Sequence, residues 1–589
     1  MGEVCAWFIC FVPLADSGEK FFGFSEYLAA LALMVLAWTI ADVRYRFRVR
    51  TAPLPLLGFT FYVIGAVGVL ALLTDWWRAE HWLVPKGNLI TPAGWQAVLG
   101  GAFLLTFMLW VWFAFIRPAK FGRWNARRFT EALYRAILKG APGELPEIAD
   151  ELTRSAESLI QHSWQSWELK QYRAQQKALK KSASDRRLHV RHYAYDVLLM
   201  IADRKFCRHV VQSSPITALA LFEEIASQNK LDVPLDTFAK NITSEAIANR
   251  DSFAYHEVEG YYTGYVGYHK PLTKALYGNY AMVDALGQVF DVDFREKNHW
   301  DADQWETFCR LLLVSFKNYI DSGAANQHSF VMFRAVHDMQ SSIRGLYKIN
   351  GSGSEWWSEN SVQQLRVAVD FAIEATKILD ERKGAVYTKI RRREEDHHRD
   401  VYDLIAELMF EIVFEASSVK EPKDLCWAVQ HNAVWSKFFE SFSPDGPGAR
   451  IIKHKLRRLI YDEIVRMEEW PNFKGARVLA IALNVMGLKD NGTNFEKPTR
   501  PLRQAVLAWT KRHYARMAAE SPRVAAACLV DGMTYEAEGP RLIKTGMQIL
   551  DREPWRQVLE LDPVPVTETP TAAPRPAENE APAASRATP

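Results

Sequence analysis

Two stretches without a single charged residue constrain this chain more than any other feature. Leu56–Thr74 runs 19 residues and Ala97–Ile116 runs 20. As helices rising 1.5 Å per residue, each spans a hydrocarbon core of about 30 Å. Phe21–Ala41 reads as a third span; its one charge, Glu26, lies near the start, where it reaches the headgroups. An apolar run at Val4–Ala15 is too short to cross and holds Pro13, so it is expected to lie in the interface. The mean hydropathy of −0.16 hides this asymmetry. The first 116 residues are membrane-like and the rest are not.

Charges orient the spans. Asp42–Pro53 carries Arg44, Arg46, Arg48 and Arg50 against one acid. Arg117–Arg128 carries Arg117, Lys120, Arg123, Arg127 and Arg128 against none. The loop between spans two and three balances Arg78 and Lys86 with Asp75 and Glu80. The positive-inside rule therefore gives a multi-pass protein of a plasma or bacterial inner membrane, N-terminus outside and C-terminal bulk cytoplasmic. Trp76, Trp77, Trp82 and Trp95 crowd the outer loop as an aromatic belt would. The nine basic residues of Asp42–Pro53 and Arg117–Arg128 are expected to meet the headgroups of an anionic inner leaflet. No basic leader or small-residue cleavage site marks a removable signal peptide. With no charge at mid-span, the spans read as an anchor; the alternative is a pore assembled from several chains.

The cytoplasmic part reads as helix almost throughout. Leu145, Ala149, Leu152, Ala156 and Leu159 form a helical stripe within Glu144–Lys181, with acids leading and bases trailing. This stretch is expected to be one long helix, packed on the domain or paired in a short coiled coil. Ser214-Pro215 opens another helix with a capping residue and a proline in the first turn. Further helices are expected over 301–320, 327–349, 355–381, 385–417, 422–442, 449–469 and 501–519, separated by short Gly-, Pro- and Asn-rich breaks. The expected fold is all-α: three N-terminal transmembrane helices, then a large cytoplasmic bundle or irregular α-solenoid. The expected divisions are 1–20, 21–116, 117–182, 183–561 and 562–589. The last, proline- and alanine-rich, is a disordered tail. With the alanine-rich helices it suggests a bacterial source.

Composition excludes several classes. At 24% charged and 49% hydrophobic, the 589 residues are too apolar for a disordered chain. Six cysteines are too few for a disulfide scaffold, and none forms a C-x-x-C pair. The four cytoplasmic ones, Cys207, Cys309, Cys426 and Cys528, read as reduced core thiols. Cys5 and Cys10 would face the outside. A net charge of +3 is too mild to call for nucleic acid. Phosphate-binding loops, nucleophile elbows and H-E-x-x-H are absent, so no catalytic motif rises above chance and no cofactor or metal is expected.

Weaker chemical signals remain. His337-Asp338, in a helical segment, resembles the core of HD-type phosphohydrolases, which are all-helical and bind metal through such a pair. The resemblance covers those two residues. It implies an upstream histidine, for which His269, His299 or His328 could serve, and a downstream aspartate, for which Asp396, Asp400 or Asp403 could. Asp400 is the third candidate catalytic residue beside His337 and Asp338. Arg391–Asp400 is an unbroken charged or histidine run that i,i+4 pairing explains as a solvated helix face. Asp291, Asp293, Asp301 and Asp303 form two short acid pairs.

The most unusual segment is Asp251–Tyr280, which holds seven of the 21 tyrosines and Gly260, Gly264, Gly267 and Gly278. Tyrosines on a glycine-rich loop bury much area at little entropic cost, as binding surfaces do. Tyr261, Tyr262, Tyr265 and Tyr268 are therefore the candidate partner-binding residues. No family is recognisable across the chain. The reading is an anchored helical protein that binds other proteins, as the membrane arm of a signalling, defence or assembly system. A tethered HD-like hydrolase and an oligomeric pore are the alternatives, and a homo-oligomer is compatible with the first and the last.

Overall fold

A computed structural model describes residues 4–6, 9–13, 21–40, 42–85, 91–178, 190–257, 261–263, 267–269, 271–324, 328–353, 355–382, 399–440, 444–489, 498–546 and 554–563. The tail from residue 564 and residues 391–398 of the charged run lie outside them. The described residues are mostly helical with little strand, as in an all-α protein. It divides into two compact units. One holds Met1–Gly345, Trp357–Leu408 and Pro444–Ile452; the other holds Leu346–Trp356, Met409–Ser443 and Lys453–Pro589.

The first unit opens with two strands, β1 (Val4–Ala6) and β2 (Ile9–Pro13). β2 also pairs with β3 (Leu83–Pro85), and the antiparallel register sets Cys5 opposite Cys10. Four helices follow: α1 (Phe24–Ile40), α2 (Val43–Thr51), α3 (Leu56–Ala79) and α4 (Pro92–Val111), the last prolonged by a π-helical stretch, Trp112–Ile116. Two helices, Leu56–Ala79 and Pro92–Ile116, are long and apolar enough to cross a membrane. The third expected span falls short. At 17 residues α1 reaches about 26 Å, and Asp42 starts a new helix by accepting from Val43 N.

The apolar helices are pinned at one end by polar groups. Asp75 of α3 accepts from Phe24 N at 2.9 Å, and Gln96 of α4 accepts from Phe21 N at 3.0 Å. These satisfy amides at the start of α1 that no helix turn can reach. Between the helices Tyr27, Met34, Ile64, Val67, Leu99 and Phe103 form a core. Gly68 allows the approach, since a Cβ there would meet the Tyr27 ring at 2.5 Å.

Below them lie α5 (Ala126–Lys139), α6 (Leu145–Thr153), α7 (Ala156–His162) and α8 (Ser166–Ala178). The single helix expected over 144–181 is thus three. The buried hydroxyl of Ser155 accepts from Phe121 N at 3.1 Å, and serine bonded outside its own helix favours a break. The break keeps Leu152, Ala156 and Leu159 in the core while redirecting the axis. Then come α9 (Val190–Met200), α10 (Arg204–Ser213), α11 (Pro215–Ser227), α12 (Asp236–Ala248) and α13 (Phe253–His256). A two-stranded hairpin, β4 (Tyr261–Thr263) and β5 (Gly267–His269), interrupts the helices. The unit continues with α14 (Pro271–Tyr277), α15 (Tyr280–Leu286), α16 (Phe294–Lys297), α17 (Ala302–Asp321), α18 (Phe330–Ser342), α19 (Asn360–Glu381) and the start of α20 (Val401–Ala416). Starts are chemically marked: Asp203, Asn279 and Ser329 cap α10, α15 and α18, and Asp301 with Gln304 forms a capping box on α17. α11 packs on α6, α7 and α14, and α17 packs on α14 and α19.

The second unit holds α21 (Lys423–Trp427), a π-helical stretch (Ala428–Trp435), α22 (Ser436–Phe439), most of α23 (Pro447–Val465), α24 (Phe473–Met486), α25 (Arg500–Glu520) and α26 (Pro522–Ala527). A sheet of β6 (Met533–Glu536), β7 (Arg541–Thr545) and β8 (Arg556–Glu560) closes it. α24 escapes sequence patterning because it is apolar on every side: Val478 through Leu483 are all buried. Cys207, Cys309, Cys426 and Cys528 are buried, unpaired thiols, as expected.

A buried polar chain runs through this unit. Lys544 of β7 donates to the Asn484 carbonyl, and its ammonium stands 5.2 Å from the Trp427 ring and 5.8 Å from that of Trp555. The Asn484 amide donates to Gln430 Oε1 at 2.9 Å, and Gln430 donates to the Val419 carbonyl at 2.8 Å. Burial pulls the Lys544 ammonium down from its ordinary 10.5 to about 8. Between those values the unfolded chain holds a proton that the folded chain has released. Stability therefore rises with pH above 8, by about 1 kcal/mol per unit. Burial pushes the thiols of Cys426 and Cys528 up to about 12, so above their ordinary 9.0 only the unfolded chain ionises there and stability falls. Burial raises the thiols of Cys207 and Cys309 as well, so thermal unfolding of the full chain in detergent should peak between about pH 8 and 9. Lys544→Met should lose the rising limb and keep the falling one; an unchanged rising limb in that variant contradicts the assignment.

Candidate functional site

The four arginines of α2 alternate in sequence but not in space. On a helix, residues four apart share a side and residues two apart do not. Arg44 and Arg48 thus face one way, and Arg46 and Arg50 the other.

The first pair meets α6. Arg48 grips Glu151 with both arms, Nε at 2.9 Å and Nη2 at 2.6 Å. Each residue is only 6% exposed. Its remaining amine, Nη1, donates to the Ala114 carbonyl at 3.0 Å. Ala114 lies in the π-helical end of the long apolar helix, where the last carbonyls have no partner within the helix and the dipole favours a cation. Arg44 extends the contact to Glu147 at 2.5 Å and Asp150 at 3.3 Å. Asp150 in turn accepts from the Ser214 hydroxyl, and Thr217 donates to the Ala149 carbonyl at 2.8 Å. The Ser214 side chain, expected to cap α11, makes no cap bond and joins this network instead. Asn125 closes the other end of α2, donating to the Thr51 carbonyl at 2.7 Å and the Lys120 carbonyl at 3.0 Å. The result is a clasp linking an apolar helix, α2, α6 and α11.

The remaining expected headgroup residues divide by position. Arg46 and Arg50 are exposed, as are Arg117 and Arg123. Lys120 lies 3.8 Å from Glu157, and Arg127 pairs with Glu131 at 2.8 Å. Arg128 donates to the carbonyls of Pro53 and Trp124. Arg44 and Arg48 serve the clasp.

Of the tyrosine candidates, Tyr265 lies outside the described residues. Tyr261, Tyr262 and Tyr268 belong to the β4–β5 hairpin, whose register sets Tyr262 opposite Tyr268 and Tyr261 opposite His269. The segment is thus a hairpin between helices, not one long loop. Its outer tyrosines are structural. Tyr277 is buried against the Thr243 hydroxyl at 2.9 Å, Tyr255 donates to the Ile247 carbonyl at 2.9 Å, and Tyr280 donates to Asp284 at 3.1 Å.

Among the described residues the HD-like pair joins no metal-binding cluster. His337 is exposed, and Asp338 is held by the buried Lys297 at 2.6 Å. Asp400 accepts from Asp403 N at 2.7 Å at the start of α20. Among the described residues no three His, Cys, Asp or Glu side chains gather where they could share a metal ion. The acid pairs have structural work: Asp293 and Asp301 cap helices, and Asp291 pairs with Arg334 at 2.7 Å.

The acids of the clasp were visible in sequence as a leading charge block, but nothing there linked Glu151 to Arg48 across 103 positions. No protein-family model, curated protein or solved structure matches the chain.

Removing one partner strands a buried charge. Arg48→Ala or Glu151→Ala should each cost about 3 kcal/mol of stability, whereas Arg48→Met with Glu151→Leu should cost much less than the two singles together. Thermal unfolding of the four proteins in detergent gives the cycle; additive losses would mean the fork contributes no coupling.

Proposed function

We propose that the protein is a membrane-anchored helical scaffold whose large non-membrane part binds other proteins. The observation that carries the anchoring is the state of the two long apolar helices. Only 33% of the apolar window of Leu56–Ala79, and 28% of that of Pro92–Ile116, is buried within the protein. A core helix of a water-soluble fold would be mostly covered. Here Phe61, Tyr62 and Leu105 are 72%, 75% and 67% exposed. Leaving such surface in water costs about 25 cal/mol per Å², and continuous patches of this kind mark membrane or partner contact.

The charge distribution supports one orientation. α2 and residues 117–128 put their cations at one end of the apolar helices, while Trp76, Trp77 and Trp82 cluster at the other with ring centroids 4.9 to 5.1 Å apart. By the positive-inside rule the cationic end is cytoplasmic, in a plasma or inner membrane. α1, too short to qualify alone, packs beside α3 as the third member of the apolar layer. Binding of a protein partner is assigned to the β4–β5 hairpin. Its support is the tyrosine-rich composition together with a two-stranded sheet that leaves strand edges for a partner.

The protein should resist alkaline carbonate extraction from its native membrane and be released by detergent. A photo-crosslinking residue at Tyr262 should give one discrete adduct with a partner protein. Tyr261→Ala with Tyr265→Ala should deplete that adduct severalfold without changing carbonate resistance. Release by carbonate alone removes the anchoring, and an undiminished adduct removes the hairpin as the binding surface.

A further inference from the structure

The second arginine pair of α2 bounds two cavities, one rich in cations and one otherwise apolar. One, of about 130 Å³, is basic: Arg46 and Arg50 meet Arg135 and Lys139 of α5, against the single acid Glu144. Glu144 already pairs with Lys139 at 2.7 Å. Among the described residues no hydrogen bond or ion pair engages the guanidinium groups of Arg46, Arg50 or Arg135. The other cavity, of about 150 Å³, is lined by the same Arg46 and Arg50 but otherwise by Trp38, Val49, Leu57 and Trp110. It opens among the apolar helices. Trp38 is one of its lining residues, and its indole nitrogen is buried with no hydrogen-bond acceptor among the described residues. A buried donor left unpaired is costly, and it marks a place where an acceptor is missing.

A ligand that satisfies both cavities is anionic at one end and apolar at the other, with acceptor oxygens at the junction. We propose that the two cavities together seat one anionic phospholipid. Its phosphate lies among Arg46, Arg50 and Arg135, where guanidinium forks match phosphate oxygens. Its glycerol esters offer the acceptor that Trp38 lacks. The first part of its acyl chains runs along Leu57 and Trp110. Free phosphate would use the basic cavity but would leave Trp38 and the apolar cavity unmatched. The surroundings suit the level of a headgroup. α5 carries Arg135 and Lys139 beside the exposed Tyr134 and Leu138, and Trp124, just before it, is 87% exposed. Aromatic side chains beside cations are the usual furniture of a membrane interface.

This seat rests on the membrane anchoring proposed above, and one experiment separates the two. The full-length protein is reconstituted into vesicles of equal phosphatidylglycerol and phosphatidylcholine, re-extracted in mild detergent, and its retained lipids are counted by native mass spectrometry. One phosphatidylglycerol per chain should remain, enriched about tenfold over phosphatidylcholine. Arg46→Gln with Arg50→Gln should abolish the enrichment, and so should Arg135→Gln with Lys139→Gln on the other helix. Trp38→Phe should weaken it severalfold. Arg117→Gln with Arg123→Gln removes the same charge outside both cavities and should leave it intact. Equal loss in that control means diffuse surface attraction and overturns the seat. So does displacement of the retained lipid by inorganic phosphate, which assigns the basic cavity to a free anion. Insertion with no lipid preference overturns the seat alone, while failure to insert overturns the anchoring as well.

Discussion

The forked contact between Arg48 and Glu151 is the constraint on which the first unit depends. Both groups are out of water, so each is tolerable only because the other is there. The third amine of Arg48 takes a carbonyl that the end of the Pro92–Ile116 helix cannot satisfy itself. One side chain thereby fixes how α2 and α6 meet the long apolar helices. The Ser214 and Thr217 hydroxyls pass the same register on to α11. Geometry at the end of the apolar helices is thus tied to the helical layers by directed, short-range bonds. Sliding apolar contacts could not hold it so closely.

The same helix has a second use because of its pitch. Four alternating arginines on a strand would share one face. On α2 they split into a pair that builds the clasp and a pair that lines the two cavities. One short cationic segment therefore joins an apolar helix to α6 and also keeps two arginines exposed. Half of the basic row is spent inside the fold, so fewer of its charges remain at the surface than its length suggests.

Much was legible before any coordinates. Charge-free runs of 19 and 20 residues became the two longest apolar helices, and Ser214-Pro215 does open a helix, although the Ser214 side chain makes no cap bond there. Failures have physical causes. α1 is too short because Asp42 can start a new helix as readily as end a span. The stripe from Leu145 to Leu159 continues in phase across a break, so periodicity could not reveal that Ser155 bonds outside its helix. α24 had no stripe to find, being buried on every side. The short strands of the last sheet carry too few residues for a period of two to stand out.

What the sequence by itself determined is local. Runs of apolar residues set which helices are long and apolar enough to cross a membrane, since the sum of transfer free energies needs no partner. Capping residues set where many helices begin, because a cap acts within a turn. Tertiary structure alone decided which charges are paired and which remain available. Arg44 and Arg46 are equivalent in composition and differ only in the direction they face. The Glu151 that neutralises Arg48 comes from far along the chain. The Lys544–Asn484–Gln430 chain is of the same kind. Burial of a charge depends on what packs around it, and that is a property of the assembled fold.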